Sequence, residues 1–154
     1  MRRSRAVLAI AVAGIALSAS GCTAAEPDWD AAQARADAFL ESGGGAGALG
    51  GASGRMSAGD DRAPGEGTTL TFPGPTRVDL IELVCFGDGE AAMSVEAQHS
   101  GGSVGLETDV VCDGEPTRVE LPDPRDGITE VTLDGVLRGG SGAVFAAVIE
   151  GEVG

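Results

Sequence analysis

The chain has 154 residues, a formal net charge of −14 at pH 7 and only 3% aromatic residues. Nucleic-acid binding needs a basic patch, and beyond the first five residues the arginines do not cluster. Stacking platforms for bases or sugars are also hard to build from four phenylalanines and one tryptophan. Composition therefore argues against a nucleic-acid partner and against recognition by aromatic stacking.

Residues 1–21 have the pattern of a secretory signal peptide. Arg2, Arg3 and Arg5 precede an apolar run over residues 6–20, and small residues follow it. A helix of about 15 residues is roughly 22 Å long, which is too short for the hydrocarbon core of a bilayer. The sequence therefore predicts a cleaved export signal and not a permanent transmembrane anchor.

The stretch Ala19-Ser20-Gly21-Cys22 resembles the lipobox of bacterial lipoproteins. The resemblance implies that Cys22 is acylated, palmitate being one such acyl group, and that an extracytoplasmic protein is held on the cell membrane by lipid. Plain secretion with cleavage near residues 18–21 and a retained anchor are the alternatives. Arg2-Arg3 leaves twin-arginine export open beside the general secretory route. Cleavage before Cys22 removes three arginines and no acids, so the net charge falls from −14 to −17.

Residues 22–67 are predicted to be a lipidated N-terminus and a glycine-rich tether, because residues 43–67 carry few large apolar groups to offset the entropy of ordering. Within the tether, apolar residues at helical spacing predict a short helix over residues 28–41, with Asp28 as its N-cap. Three outcomes are open for this helix: it frays, it docks on the folded domain, or it docks on a partner or the lipid interface.

Residues 68–154 are predicted to be strand-rich, with turn signals between short extended runs. Four Asp-Gly pairs, at residues 88–89, 113–114, 126–127 and 134–135, indicate tight hairpin turns. The predicted strands span 68–72, 77–86, 91–99, 104–112, 117–121, 128–133 and 143–150.

The apolar pattern of these strands predicts a sandwich. Residues 91, 93, 95 and 97 are apolar and alternate with polar ones, which is typical of a strand with one wet face. Residues 143–149 are apolar on both faces, which indicates a covered central strand. Short strands at this spacing predict an all-β fold, a small antiparallel β-sandwich of about six to eight strands.

If Cys22 carries lipid, Cys85 and Cys112 are left as a pair in an oxidising compartment, and we expect them to form a disulfide. The runs Val84-Cys85-Phe86-Gly87-Asp88-Gly89 and Val111-Cys112-Asp113-Gly114, behind a lipobox, resemble those of small actinobacterial-type lipoproteins. That resemblance implies a disulfide-linked β-sandwich and carries no activity with it.

The candidate sites of other kinds are weak. Acidic turns offer calcium ligands at Asp88, Glu90, Asp113, Asp123 and Asp126, although none matches an EF-hand loop. Gly101-Gly102-Ser103-Val104-Gly105 matches the pattern of a hydrolase nucleophile elbow, but extended segments on both sides make a coincidence the better interpretation. His99 is expected to be an exposed or capping residue, because a site with Cys85 and Cys112 lacks zinc-ligand spacing and competes with the disulfide.

These patterns predict a protein that is not an enzyme and has no cofactor. Its expected role is that of a lipid-anchored binding or interaction module with an envelope protein as a possible partner. A structural or spacer lipoprotein without a specific ligand is the main alternative, followed by a calcium-binding or small-ligand-binding lipoprotein.

Overall fold

A computed structural model describes residues 27–59, 67–123 and 125–154, so the proposed signal segment and Cys22 lie outside the described residues. The elements in chain order are α1 (Trp29–Gly43), β1 (Ala48–Ser57), β2 (Thr68–His99), β3 (Gly102–Asp113), β4 (Thr117–Val119), β5 (Ile128–Arg138) and β6 (Gly142–Val153). Within the described part of the chain, no helix is both long enough and apolar enough to cross a membrane.

Strand β2 belongs to two sheets because it bends twice. Its middle part, residues 76–87, lies between β6 and β4, and with β1 beyond β6 this makes the first sheet. Its last part, residues 90–99, lies between β3 and β5, and residues 68–71 pair with the far side of β5 to complete the second sheet. The bends fall at Pro73-Gly74-Pro75 and at Gly87-Asp88-Gly89, where Gly89 has a φ of 91°.

All strand pairs are antiparallel, as the sequence predicts. Each of the seven predicted strands is present, but the first three are parts of the continuous strand β2. The small antiparallel sandwich is therefore confirmed, with one strand shared between its two sheets.

The main core lies between the sheets. Alternate residues of the last part of β2, Ala91, Met93, Val95 and Ala97, are buried there, which confirms the predicted one-faced strand. Residues 143–149 of β6 are buried on both faces, and this confirms a central covered strand. Its outer face, which carries Val144 and Ala146, is covered by α1.

The predicted disulfide is present. Cys85 in the middle part of β2 bonds to Cys112 near the end of β3, and both residues are buried in the main core. Because these residues belong to different sheets, the bond ties the two layers together beside the second bend of β2.

The prediction of a tether over residues 43–67 is wrong for residues 48–57, which form β1 and pair with β6 from Ala48 to Ser57. The glycines of β1 leave space for larger neighbours. A Cβ on Gly54 would lie 2.5 Å from the Phe145 ring, and one on Gly51 would lie 2.7 Å from the end of Leu40. The described folded unit therefore includes α1 and β1 as well as the strands from residue 68 onward.

The predicted helix is confirmed as α1, and it docks on the first sheet. Asp28 caps it by accepting a 3.0 Å hydrogen bond from the Ala31 N–H. Ala36 is fully buried against the sheet, and Trp29, Phe39 and Leu40 pack around it. The Arg35 guanidinium lies 4.4 Å from the centroid of the Phe86 ring, a cation–π contact that joins helix and sheet. Of the three outcomes left open, docking on the folded domain is the one observed.

None of the four Asp-Gly pairs is the connecting turn of a hairpin between paired strands, so that prediction is wrong. The pair at 88–89 forms a bend within β2, and 134–135 lies inside β5. The pair at 113–114 lies at the end of β3, where Asp113 still pairs with Phe86, and 126–127 lies in the loop before β5. The hairpin between β2 and β3 instead turns at Ser100-Gly101, where His99 pairs with Gly102. Gly135 is buried. A Cβ at this position would lie 2.6 Å from the Met56 sulfur, so the glycine leaves space for the Met56 side chain.

Removing the disulfide will lower the free energy of unfolding by about 3 to 4 kcal/mol, since the bond closes a loop with a sequence separation of 27. Denaturant unfolding of a Cys22→Ser chain, oxidised and reduced, measures this with Cys85 and Cys112 as its only thiols. Equal midpoints in the two states would contradict the prediction.

Ala36→Glu will release α1 from the sheet, because it places a carboxylate in a fully buried position at a cost of at least ~2 kcal/mol. The emission of Trp29, the only tryptophan, should move toward the wavelength of the unfolded chain while the far-ultraviolet signal of the strands persists. The matched control is Ala38→Glu on the exposed side of α1. Identical spectra for the two variants would show that the helix is not held by this face.

Candidate functional site

The outer face of the second sheet is strongly acidic. The polar positions of its strands alternate with the core positions, so the acids all point to solvent. We define the acidic face as the side chains of Glu90 and Glu96 on β2, Glu107 and Asp109 on β3, and Glu130 and Asp134 on β5. Arg138 is the one basic residue among the described outward positions of these three strands.

Some carboxylates of the acidic face are already engaged. Arg138 reaches across β2 to Asp109, with Nη1 2.8 Å from Oδ1. Glu96 accepts a hydrogen bond from Gln98 Nε2 at 3.1 Å, and Asp134 accepts one from the Gly135 N–H at 2.8 Å. Among the described residues, Glu90, Glu107 and Glu130 make no ion pair or side-chain hydrogen bond, so three carboxylates are available to a ligand.

The acidic face ends at an open strand edge. Among the strands that the structure describes, β3 pairs only with β2, so the 12 residues of β3 present their other side to solvent. The other edges are better covered. β4 has only three residues, and β1 lies beside the first part of β2, where Thr68 Oγ1 donates to the Ser53 carbonyl at 3.5 Å. The long uncovered edge of the described fold is therefore β3.

A cleft of about 900 Å³ lies between the start of α1 and the bend of β2 at residues 87–89. Its charged lining groups are used internally. Asp28 caps α1, Asp88 Oδ1 accepts hydrogen bonds from Ser141, and Arg35 stacks on Phe86 and donates to the Asp113 carbonyl at 3.5 Å. The cleft therefore offers few polar groups to a ligand, and we interpret it as a gap at the contact between α1 and the first sheet.

The weak calcium candidates are not brought together. Asp113 accepts from the Glu115 N–H at 2.9 Å, Asp123 lies 3.6 Å from Arg125 Nε, and Asp126 lies 3.8 Å from Arg77 Nη1. Arg77 also donates a hydrogen bond to Asp79. This bond and the negative charges of Asp79 and Asp126 raise the pKa of the Arg77 guanidinium above its ordinary value. Asp88 bonds Ser141, as described, and Glu90 stands exposed on the acidic face. Among the described residues, no group of three or more His, Cys, Asp or Glu is placed to hold a metal ion.

The nucleophile-elbow match has the wrong structural context. Gly101 and Gly102 lie at the turn between β2 and β3, and Ser103, Val104 and Gly105 continue along β3 with no helix after them. His99 Nδ1 accepts a 3.1 Å hydrogen bond from the Gly101 N–H, so the imidazole caps this turn, as the sequence analysis expects. The position of residues 101–105 therefore agrees with a chance match to the nucleophile-elbow pattern.

Sequence reasoning missed the acidic face and the edge. The signal was present in the alternation: Glu107 and Asp109 lie two residues apart on β3, as do Glu96, Ser94 and Gln98 on β2. The alternation does not show which strands are neighbours. In the structure Ser94 of β2 pairs with Glu107 on one side and with Asp134 on the other. Sequence spacing gives the face of a single strand, whereas the neighbours of that face come from register.

Comparison of the chain with protein-family models, with curated proteins and with solved structures finds no match. Function is therefore inferred from residues 19–22, which resemble a lipobox, and from the geometry of the acidic face and the β3 edge.

Added salt will stabilise the fold, because it screens repulsion among the six carboxylates of the acidic face. The melting temperature should rise by a few degrees between about 10 mM and about 300 mM NaCl. Neutralising Glu107 as Glu107→Gln should reduce this gain and stabilise the protein by about 0.2–0.5 kcal/mol at low salt. The control Glu115→Gln, an exposed acid outside the acidic face, should leave the salt response intact. A salt response that is the same for both variants would place the repulsion elsewhere.

Proposed function

We propose that this chain is a lipid-anchored protein of the bacterial cell envelope, and that its β-sandwich is a non-catalytic module that binds another envelope protein. The observation that carries the proposal is the acidic face, with its available carboxylates beside the open edge of β3. A surface of this kind favours a partner of opposite charge through electrostatic complementarity.

Two features support the proposed compartment. The Ala19-Ser20-Gly21-Cys22 stretch has the pattern of a lipobox behind a signal segment. The Cys85–Cys112 disulfide is of the kind that persists in oxidising environments and is rare in the cytosol. Together they favour an extracytoplasmic protein on the membrane surface.

The position of α1 brings the module close to its proposed anchor. If Cys22 carries lipid, residues 23–28 separate it from the start of α1 at Trp29. Six residues span at most about 20 Å when fully extended. The sandwich would therefore stand near the bilayer surface, and not at the end of the long flexible tether that the glycine-rich sequence predicts.

The first alternative is a spacer lipoprotein without a specific ligand. It makes use of the anchor and the stable sandwich, but it gives no role to the unpaired Glu90, Glu107 and Glu130. Calcium binding is less favoured, because Asp123 and Asp126 face arginines and not one another. A small-ligand carrier is also less favoured, because the charged groups of the cleft beside the start of α1 are already bonded within the protein.

The anchor is tested by Cys22→Ser. The full chain, expressed in a bacterium that processes lipoproteins, should incorporate a palmitate analogue and sediment with membranes. Cys22→Ser should lose the label and move to the soluble fraction, and Cys85→Ser should retain it. A label that persists in Cys22→Ser would refute anchoring at this residue.

Binding is tested by crosslinking on intact cells. The chain contains no lysine, so a zero-length carbodiimide reagent joins its carboxylates to lysines of a neighbour and not to its own side chains. We expect one reproducible crosslinked protein. Only random neighbours, varying between repeats, would favour the spacer alternative.

A further inference from the structure

The edge of β3 combines two recognition elements. In an edge strand of an antiparallel sheet, about half of the residues point their N–H and C=O groups away from the neighbour and toward solvent. β3 contains neither proline nor lysine, which are common edge protectors, and its pairing with β2 runs in unbroken register from Val111 to Gly102. The backbone of β3 is therefore ready to accept another strand.

The side chains along β3 specify what that strand should carry. On the outer face, Glu107 and Asp109 are exposed and Val111 has 54% of its surface exposed. On the inner face, Val104 and Leu106 pack against the core but remain only partly buried. A strand placed beside β3 meets acids on one face and aliphatic groups on the other.

We infer that β3 binds an extended segment of a partner protein by strand addition, and that basic residues alternate with apolar ones in this segment. The inference rests on the proposed binding function and names its surface and partner chemistry. Basic side chains of the added strand pair with Glu107, which makes no ion pair among the described residues, and its apolar side chains extend the core over Val104 and Leu106.

A second copy of this chain is a poorer occupant. Two β3 strands paired antiparallel about Thr108, near the middle of the strand, would set Glu107 of each copy opposite Asp109 of the other, and like charges directly opposite are destabilising. The Arg138–Asp109 ion pair does not remove this conflict, because Glu107 has no described cation beside it. Charge complementarity thus selects a basic partner.

The test uses the full chain with Cys22→Ser and a synthetic seven-residue peptide of alternating arginine and valine. Binding should protect the amides of residues 102–113 from hydrogen exchange and shift their resonances. A peptide with N-methyl groups at alternate positions keeps its charge but cannot complete the ladder, so it should bind at least tenfold more weakly. A glutamate-valine peptide should not bind.

Two matched variants separate binding at the edge from a change in overall charge. Glu107→Arg should weaken binding about tenfold. Glu150→Arg makes the same charge change at an exposed position of β6, in the first sheet and outside the acidic face, and should change binding less than twofold. Melting temperatures of both variants confirm that they are folded, and Glu107→Gln, with an intermediate effect, provides the milder substitution.

Equal binding of the N-methylated peptide, or perturbation centred on Glu130 and Asp134 and not on β3, would overturn the inference. Dimerisation of the chain through β3 in sedimentation experiments would also overturn it. On cells, crosslinking of the Glu107→Arg variant and of the unmodified chain to the same partner with equal yield would refute binding at the β3 edge but leave the proposed function standing. No partner with the unmodified chain would refute the function, while the peptide result still decides on the edge.

Discussion

The fold depends on β2 taking part in both sheets. Its middle part pairs with β6 and β4, and its last part pairs with β3 and β5, so one bend at residues 87–89 sets how the layers face each other. At that bend a Cβ on Gly89 would lie 2.3 Å from the Gly139 carbonyl oxygen, which leaves room for glycine alone. The Cys85–Cys112 disulfide lies next to the bend and holds the layers in register.

Small residues allow a third layer to form. Where α1 crosses the first sheet, Gly142 lies under the Trp29 ring and Gly51 lies under Leu40, at distances that a side chain would fill. Larger residues at these points would hold the helix away from Val144 and Ala146 and leave its apolar side chains exposed. The abundance of glycine and alanine thus serves close packing as well as turns, and the core is built with little help from aromatic groups.

One side of the sandwich is covered, whereas the other side is exposed. β1 and the first part of β2 lie side by side and cover each other, while α1 covers the outer face of the first sheet. The second sheet keeps its outer face and its β3 edge exposed, and the available carboxylates of the acidic face lie there. A short link to a lipidated Cys22 would present this surface close to the membrane.

The sequence by itself determined the seven short strands, the helix and the buried alternate residues of β2, because periodicity and capping are local properties of the chain. It also indicated the disulfide, because an even pair of thiols has few alternatives if the domain is exported, as its signal pattern predicts. Only the tertiary structure decided that residues 48–57 form a strand, since the side chains that pack against their glycines belong to Phe145 and Leu40. It likewise decided that the acids form one face and that β3 is an edge. Strand order and register join residues far apart in the chain, and no local pattern encodes that pairing.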